Sequence, residues 1–427
     1  MNDTVETSPR AIWLLMLAAA AIMMITTGAR LCMGLFLSPI NTSTGLGLAT
    51  ISFAMAIGQF AWGAAQPLFG IAADKFGSVR VIAFGAILLA GGTALTPFMH
   101  TQWGLMMSMG VLAAAGAGAG SFSILIGATA QRLPMERRPF AAGFINAGGY
   151  FGQFVFAPLM QAIISSAGWV AAMLTMAASA LLTIPLAWPL RSAAKAPTPA
   201  EAGAQVGSPA PSAKPAPPAA NGIGLGAQVK LALRDRSYLC LHAGFFTCGF
   251  HIAFLVTHLP GEVALCNLPV SVSATALGFI GLFNIAGSLL VGALGARYRM
   301  KSLLVFIYGG RALIIALYLL APKTALTFYV FAAALGFTWL ATVPPTAGLV
   351  GKLFGARYLS TLFGLTLLSH QTGAFFGAWL GGLAFVHFGG FAPMWYADIA
   401  LALCAALSNL PIREAQVMRA PASGVPA

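Results

Sequence analysis

Apolar residues run along this chain in blocks of about 20, the length of a membrane span, rather than in the alternation of strands or the single stripe of a soluble helix. Read against their charged punctuation, the blocks predict twelve helices, at about 12 to 39, 46 to 69, 80 to 98, 103 to 127, 140 to 164, 169 to 190, 237 to 260, 272 to 294, 302 to 321, 325 to 348, 358 to 384 and 392 to 411. Between the sixth and seventh the pattern lapses into Ala, Pro, Ser and Gly, most densely from Gly207 to Pro218. Such a composition buries no core and behaves as a flexible or polyproline-like linker. The expected organisation is an N-terminal six-helix bundle (1–193), a flexible cytoplasmic linker (194–230) and a C-terminal six-helix bundle (231–427).

Sliding one half along the other shows internal repetition. At an offset of 221, Gly28, Arg30 and Pro39 fall on Gly249, His251 and Pro260; the same shift maps Arg80 onto Lys301, Gly143 onto Gly364 and Gly152 onto Gly373. Parallel six-helix repeats place a substrate site near the midplane where the halves meet.

Composition sharpens the class. Of the 427 residues, 59% are hydrophobic and 7% charged; a soluble domain carries about 25% charge, so a globular cytosolic enzyme is excluded. The formal charge of +13 does not mark a nucleic-acid binder, because the basic residues fall in short groups between apolar runs, as orientation signals do. With the N-terminus in the cytoplasm, Lys323 alone lies outside, Arg30 and Arg311 lie within spans, and the other Lys and Arg residues fall inside. Both termini are then cytoplasmic, in a cell membrane, the inner one in a bacterium. The polar first ten residues lead into a full-length apolar run without a small-residue cleavage site, which reads as an uncleaved first helix. Cys32, Cys240, Cys248, Cys266 and Cys404 show neither disulfide nor metal spacing.

After the second helix stands Gly70-Ile-Ala-Ala-Asp74-Lys75-Phe-Gly77-Ser-Val-Arg80. It resembles the signature loop between helices 2 and 3 of the major facilitator superfamily. The resemblance implies an all-α fold of twelve transmembrane helices in two pseudo-symmetric six-helix bundles, with a cavity lined by helices 1, 2, 4, 5, 7, 8, 10 and 11. It also implies a cytoplasmic gate served by Gly70, Asp74, Lys75, Gly77 and Arg80. The second-half loop, from Gly292 to Arg299, lacks the acid. A narrower resemblance, Arg137-Arg138 followed by Ala141, Gly143, Ala147 and Gly148, is to the monocarboxylate carriers and the oxalate:formate antiporter group. The chain departs from those carriers in having no acid-Gly-Trp signature before helix 1, and Asn284 and Ser288 in helix 8 where they often bear Asp and Arg.

Ionisable groups inside a membrane are functional candidates by default. Arg30 offers a planar fork suited to a carboxylate, against the alternative of a packing cation. His251, its repeat partner, is expected across the cavity at similar depth; Asn146, Asn284, His370 and Gln371 supply polar contacts. Arg311 reads either as a ligand residue or as half of a buried pair with Asp398, the only acid within a span. With so few acids, proton coupling falls to His251 or His370, each of which also reads as a neutral hydrogen-bonding residue.

Other signals are discounted. Gly116, Gly118 and Gly120 lie in an apolar helix without a preceding strand and read as a packing face; Ser121 and Ser123 follow at the cavity, and Trp339 with Pro344-Pro345 reads as a kink. No nucleophile with its base, metal cluster or phosphate loop is evident, so neither catalysis nor a cofactor is expected. The sequence leads to a monomeric secondary transporter moving a small organic anion, a monocarboxylate, by proton coupling or exchange. Two rivals stand beside it: an efflux transporter for lipophilic or cationic compounds, and a non-transporting membrane sensor.

Overall fold

The structure is a computed structural model that describes residues 9–130, 133, 138–191, 224–295, 297–355 and 359–415. Every regular element among the described residues is helical. The first half contributes α1 (Pro9–Leu31), carried on by the turn Met33–Phe36 and the helix Leu37–Thr44, then α2 (Leu48–Phe76) and α3 (Ser78–Leu95). Next comes α4, assembled from Gln102–Leu105, a π-helical stretch Met106–Ala113, Ala114–Ala119 and Phe122–Ala130. The continuous helix Arg138–Leu181 turns at Gly168, where φ is +86°, and so forms α5 (138–167) and α6 (169–181). The second half contributes α7 (Arg236–Leu265), α8 (Val270–Leu294), α9 (Met300–Leu320), α10 in two pieces (Ala325–Thr338 and Val343–Phe354), α11 (Leu359–Phe388) and α12 (Ala392–Asn409).

The twelve expected helices are all present. Nine described helices are long and apolar enough to cross a membrane; one of them, Gly143–Leu186, contains both α5 and α6, and α11 and α12 complete the set. Residues 194–223 of the expected linker lie outside the described residues, but its end is helical and joins the helix Leu225–Ala232, with Gln228 and Ala232 buried. The turn from α2 to α3 is a single residue, Gly77, at φ +88°. A side chain there would be strained, which explains the glycine of the loop motif on local grounds.

Small residues bring the helices together, as expected where lipid supplies no hydrophobic drive for association. Helix α1 crosses α5 at Gly28 and Gly152, each of which faces the backbone of the other helix; α7 crosses α11 at Gly249 and Gly373 in the same manner. These four positions are related by the offset of 221, so the sequence repeat is a repeat of packing. Gly116 sits against the backbone of Gly85 and Leu89 on α3, and Gly118 lies 3.2 Å from the carbonyl of Trp62 on α2, measured from where a Cβ would stand. The discounted glycine triplet is therefore a packing face.

Both described chain ends lie on one face. Toward the opposite face the halves meet closely: Gly34 on the backbone of Val256 and Thr257, Gly382 on Ser52, Phe53 edge-on to Trp379 with centroids 5.3 Å apart, and Gly281 on the backbone of Tyr150. Toward the terminal face Gly70, Gly143, Gly292 and Gly364 have no neighbour within 4 Å of a Cβ position. The close contacts between the halves among these positions thus lie away from the termini.

Candidate functional site

Arg30 lies two residues beyond the α1–α5 crossing, at the wall of a cavity lined by α1, α2, α3, α4, α6 and α7. Its Nη1 donates to Gln59 Oε1 at 2.8 Å, its guanidinium lies 4.2 Å from the centre of the Trp62 ring, and its Nε is buried without a hydrogen-bond partner. Gln59 and Trp62 stand one turn apart on α2, so one helix face supplies both the amide and the ring. The three ion pairs among the described residues, His251 with Asp398, Lys352 with Glu414 and Arg413 with Asp235, do not include Arg30. A half-buried cation held by a neutral amide and an aromatic face retains capacity for an anion.

Around it the structure gathers groups from both halves. Tyr150 on α5 is buried and interacts electrostatically with Arg30, with Asn146 and Asn284 beside it. His370 on α11 feels the field of both Arg30 and Arg311, and Gln371 Nε2 donates to its Nδ1 at 3.2 Å. The aliphatic part of Gln371 rests on Gly63 of α2, and its Oε1 has no partner. Arg30, Asn146, Asn284, His370 and Gln371 are therefore neighbours of one interface. Tyr150, Gln59 and Trp62 belong with them, although nothing in an apolar helix sets such neutral side chains apart from packing residues.

Two expected placements change. His251 occupies the position equivalent to Arg30, yet its side chain turns into the C-terminal half, where it is wholly buried and Nδ1 pairs with Asp398 Oδ2. It does not face Arg30 across the cavity. Arg311 is likewise fully buried, and it pairs with backbone instead of Asp398: Nη2 donates to the carbonyls of Thr338 at 2.5 Å and Trp339 at 3.0 Å. Those carbonyls border residues 339–342, where α10 loses helical form. The same interruption is held by Asn284 Oδ1, which accepts from Leu340 N–H at 3.0 Å, and by Cys248 Sγ, 3.3 Å from Thr342 Oγ1. A helix break in an apolar setting persists only where its freed carbonyls and amides find such partners. The kink read at Trp339 and the proline pair is thus present, with Arg311 as its clamp.

Of the gate residues, Lys75 and Arg80 are exposed on the terminal face, Lys75 Nζ 5.3 Å from the Phe76 ring centre. The side chain of Asp74 and residue Arg137 lie outside the described residues, as does the side chain of Arg138. Ser123 is exposed and donates to Gln66 Oε1 at 3.0 Å, whereas Ser121 is buried. Among the described residues no cluster of His, Cys, Asp and Glu could hold a metal ion.

Twelve helices, two glycine crossings related by one sequence shift, and a polar cluster where the halves meet agree with the family model described as Major Facilitator Superfamily, which matches residues 15–378. The chain belongs to the major facilitator superfamily. Within it, the chain is 26% identical over 380 residues to the oxalate:formate antiporter of Oxalobacter formigenes, covering 88% of this chain and 86% of that protein. It is also 26% identical over 383 residues to monocarboxylate transporter 13 of Bos taurus, covering 87% and 82%. Among solved structures, a D-xylose-proton symporter superposes with a TM-score of 0.71 at 14% identity, covering 94% of this chain and 98% of that one. That last likeness concerns the fold alone.

Proposed function

We propose that this superfamily transporter moves a small organic anion, a monocarboxylate, by alternating access, and that Arg30 is the anchor for the carboxylate. The observation that carries this reading is the state of Arg30: a permanent cation at the cavity wall whose partners are an amide and an indole, with no described carboxylate opposite it. Tyr150, Asn146, His370 and Gln371 stand around it as neutral hydrogen-bonding groups, and Asn284 links them to α10. The printed activities of the oxalate:formate antiporter and the monocarboxylate transporter agree with an anionic cargo. A cationic cargo has little to hold it, since Asp398, wholly buried, is occupied by His251.

With the terminal face taken as cytoplasmic, from the distribution of Lys and Arg, the close contacts between the halves lie on the outer side. The inside-negative potential opposes anion entry by about 2.3 kcal/mol per charge per 100 mV. Uptake would therefore require a compensating proton, for which His370, or His251 with Asp398, is the proposed carrier; exchange or export would not. The test is thermal stabilisation of the purified chain by mono- and dicarboxylates and by lipophilic cations, in wild type and Arg30→Gln. Stabilisation by a carboxylate that is lost in Arg30→Gln supports the reading. Stabilisation by cations alone overturns it.

A further inference from the structure

Arg30 lines a pouch whose wall belongs mostly to the N-terminal half. Its wall is built from α1, α2, α3, α4 and α6, with Val256 and Thr257 of α7 closing it beside Gly34. Four methionines line it, Met33, Met55, Met109 and Met176, each from a different helix, and Ala114 and Ala117 of α4 give it depth. Beyond Arg30 and Gln59 its polar side chains are Thr93 and Thr257, both buried. A space walled by hydrocarbon and thioether offers water few hydrogen bonds and favours an apolar guest, and unbranched methionines adapt their shape to one. One wall thus carries both a cation and a largely apolar lining.

Resting on the carboxylate reading above, we infer that the substrate is an amphiphilic monocarboxylate whose short aliphatic tail enters this pouch while Arg30 holds its carboxylate. Size sets the tail. The cavity measures about 50 Å³, room for roughly three or four groups the size of a water at about 10–15 Å³ each. That matches the chains of butyrate and pentanoate. A dicarboxylate such as oxalate would set its second charge among methionines, where no cation meets it. The preference for a monocarboxylate is therefore a property of the pouch, and the anchor alone does not provide it.

The test is isothermal titration of the detergent-purified full chain with acetate, butyrate, pentanoate, octanoate and oxalate at one pH. Each methylene buried without strain strengthens binding about four-fold, so butyrate is expected to bind roughly fifteen-fold tighter than acetate, with an optimum at four or five carbons and a fall by octanoate. Ala114→Leu fills the pouch and should erase the gain of butyrate over acetate while leaving acetate binding in place. Met109→Ala widens it and should move the optimum toward longer acids, which keeps the inference testable should the first variant fail to fold. Equal affinity for acetate and pentanoate, or tighter binding of oxalate than of butyrate, overturns the pouch and leaves Arg30 as anchor. Absence of binding by every carboxylate overturns the carboxylate reading, and the pouch assignment with it.

Discussion

A guanidinium inside a membrane domain persists where its surroundings offset the lost water, and the two intramembrane arginines do this in different ways. Arg311 spends its charge on the carbonyls of Thr338 and Trp339; it is structural by geometry. Arg30 has Gln59 and Trp62, which satisfy it only in part. The two should respond oppositely to neutralisation. Arg30→Gln should leave the thermal midpoint unchanged or raised while weakening carboxylate binding by roughly 10- to 150-fold, the value of a hydrogen bond to a charged group at about 1.5–3 kcal/mol. Arg30→Lys, which keeps charge but loses the planar fork and its stacking on Trp62, should fall between. Binding titrations beside melting curves check both. Asp398→Ala should behave as a structural lesion, leaving His251 and Arg311 in the same dry core without the acid, at a cost of about 3–5 kcal/mol read as a lowered melting midpoint. Had His251 faced the cavity, Asp398 would tolerate that change.

Helices in this chain are positioned by what they lack. The crossings at Gly28 with Gly152 and at Gly249 with Gly373 leave no space for a methyl group, so Gly373→Ala should destabilise by about 1–3 kcal/mol through overpacking. Gly364, on the opposite face about two and a half turns away on the same helix, has nothing within 4 Å; Gly364→Ala should stabilise by about 0.5–1 kcal/mol through helix propensity. Thermal unfolding of the two variants separates packing from propensity. The glycine repeat was readable because it is a statement about spacing, and so were the twelve spans and the α10 interruption, which Pro344 and Pro345 announce. The partners of His251 and Arg311 were not readable. They depend on how α7 and α9 are rotated against α12 and α10, and hydropathy that is apolar all round leaves that rotation open. Tyr150, Gln59 and Trp62 were hidden for a related reason: an aromatic ring or an amide in a span is as common in packing as in binding, and only the neighbouring Arg30 distinguishes these.

At the scale of the whole molecule, the face where the halves meet is held by contact rather than by charge. All three described ion pairs lie within the C-terminal half, and the halves meet through glycines and ring edges, at Gly34 with Thr257, Ser52 with Gly382 and Phe53 with Trp379. Such contacts separate without stranding a buried charge, which suits a seal that must open in every cycle. Across the interface Tyr150 neighbours Asn284, and Asn284 holds the Leu340 amide at the break in α10. On the proposed function, a ligand beside Arg30 and Tyr150 would thereby sit next to α10, which is interrupted at residues 339–342, giving a local event a route to a rigid-body motion. The seal can be fixed covalently. A Cβ at Gly382 would stand 2.5 Å from the Cβ of Ser52, so an outward shift of about 1 Å gives the Cβ separation of a disulfide, about 3.8 Å. Ser52→Cys with Gly382→Cys, in a background where Cys240, Cys266 and Cys404 are serine, should cross-link on oxidation. The oxidised protein should still be stabilised by a carboxylate, because the cross-link at Ser52 lies about two turns along α2 from Gln59, while transport in proteoliposomes stops and returns on reduction. Transport that continues through the oxidised protein would show that these helices need not part, and would remove this face as the gate.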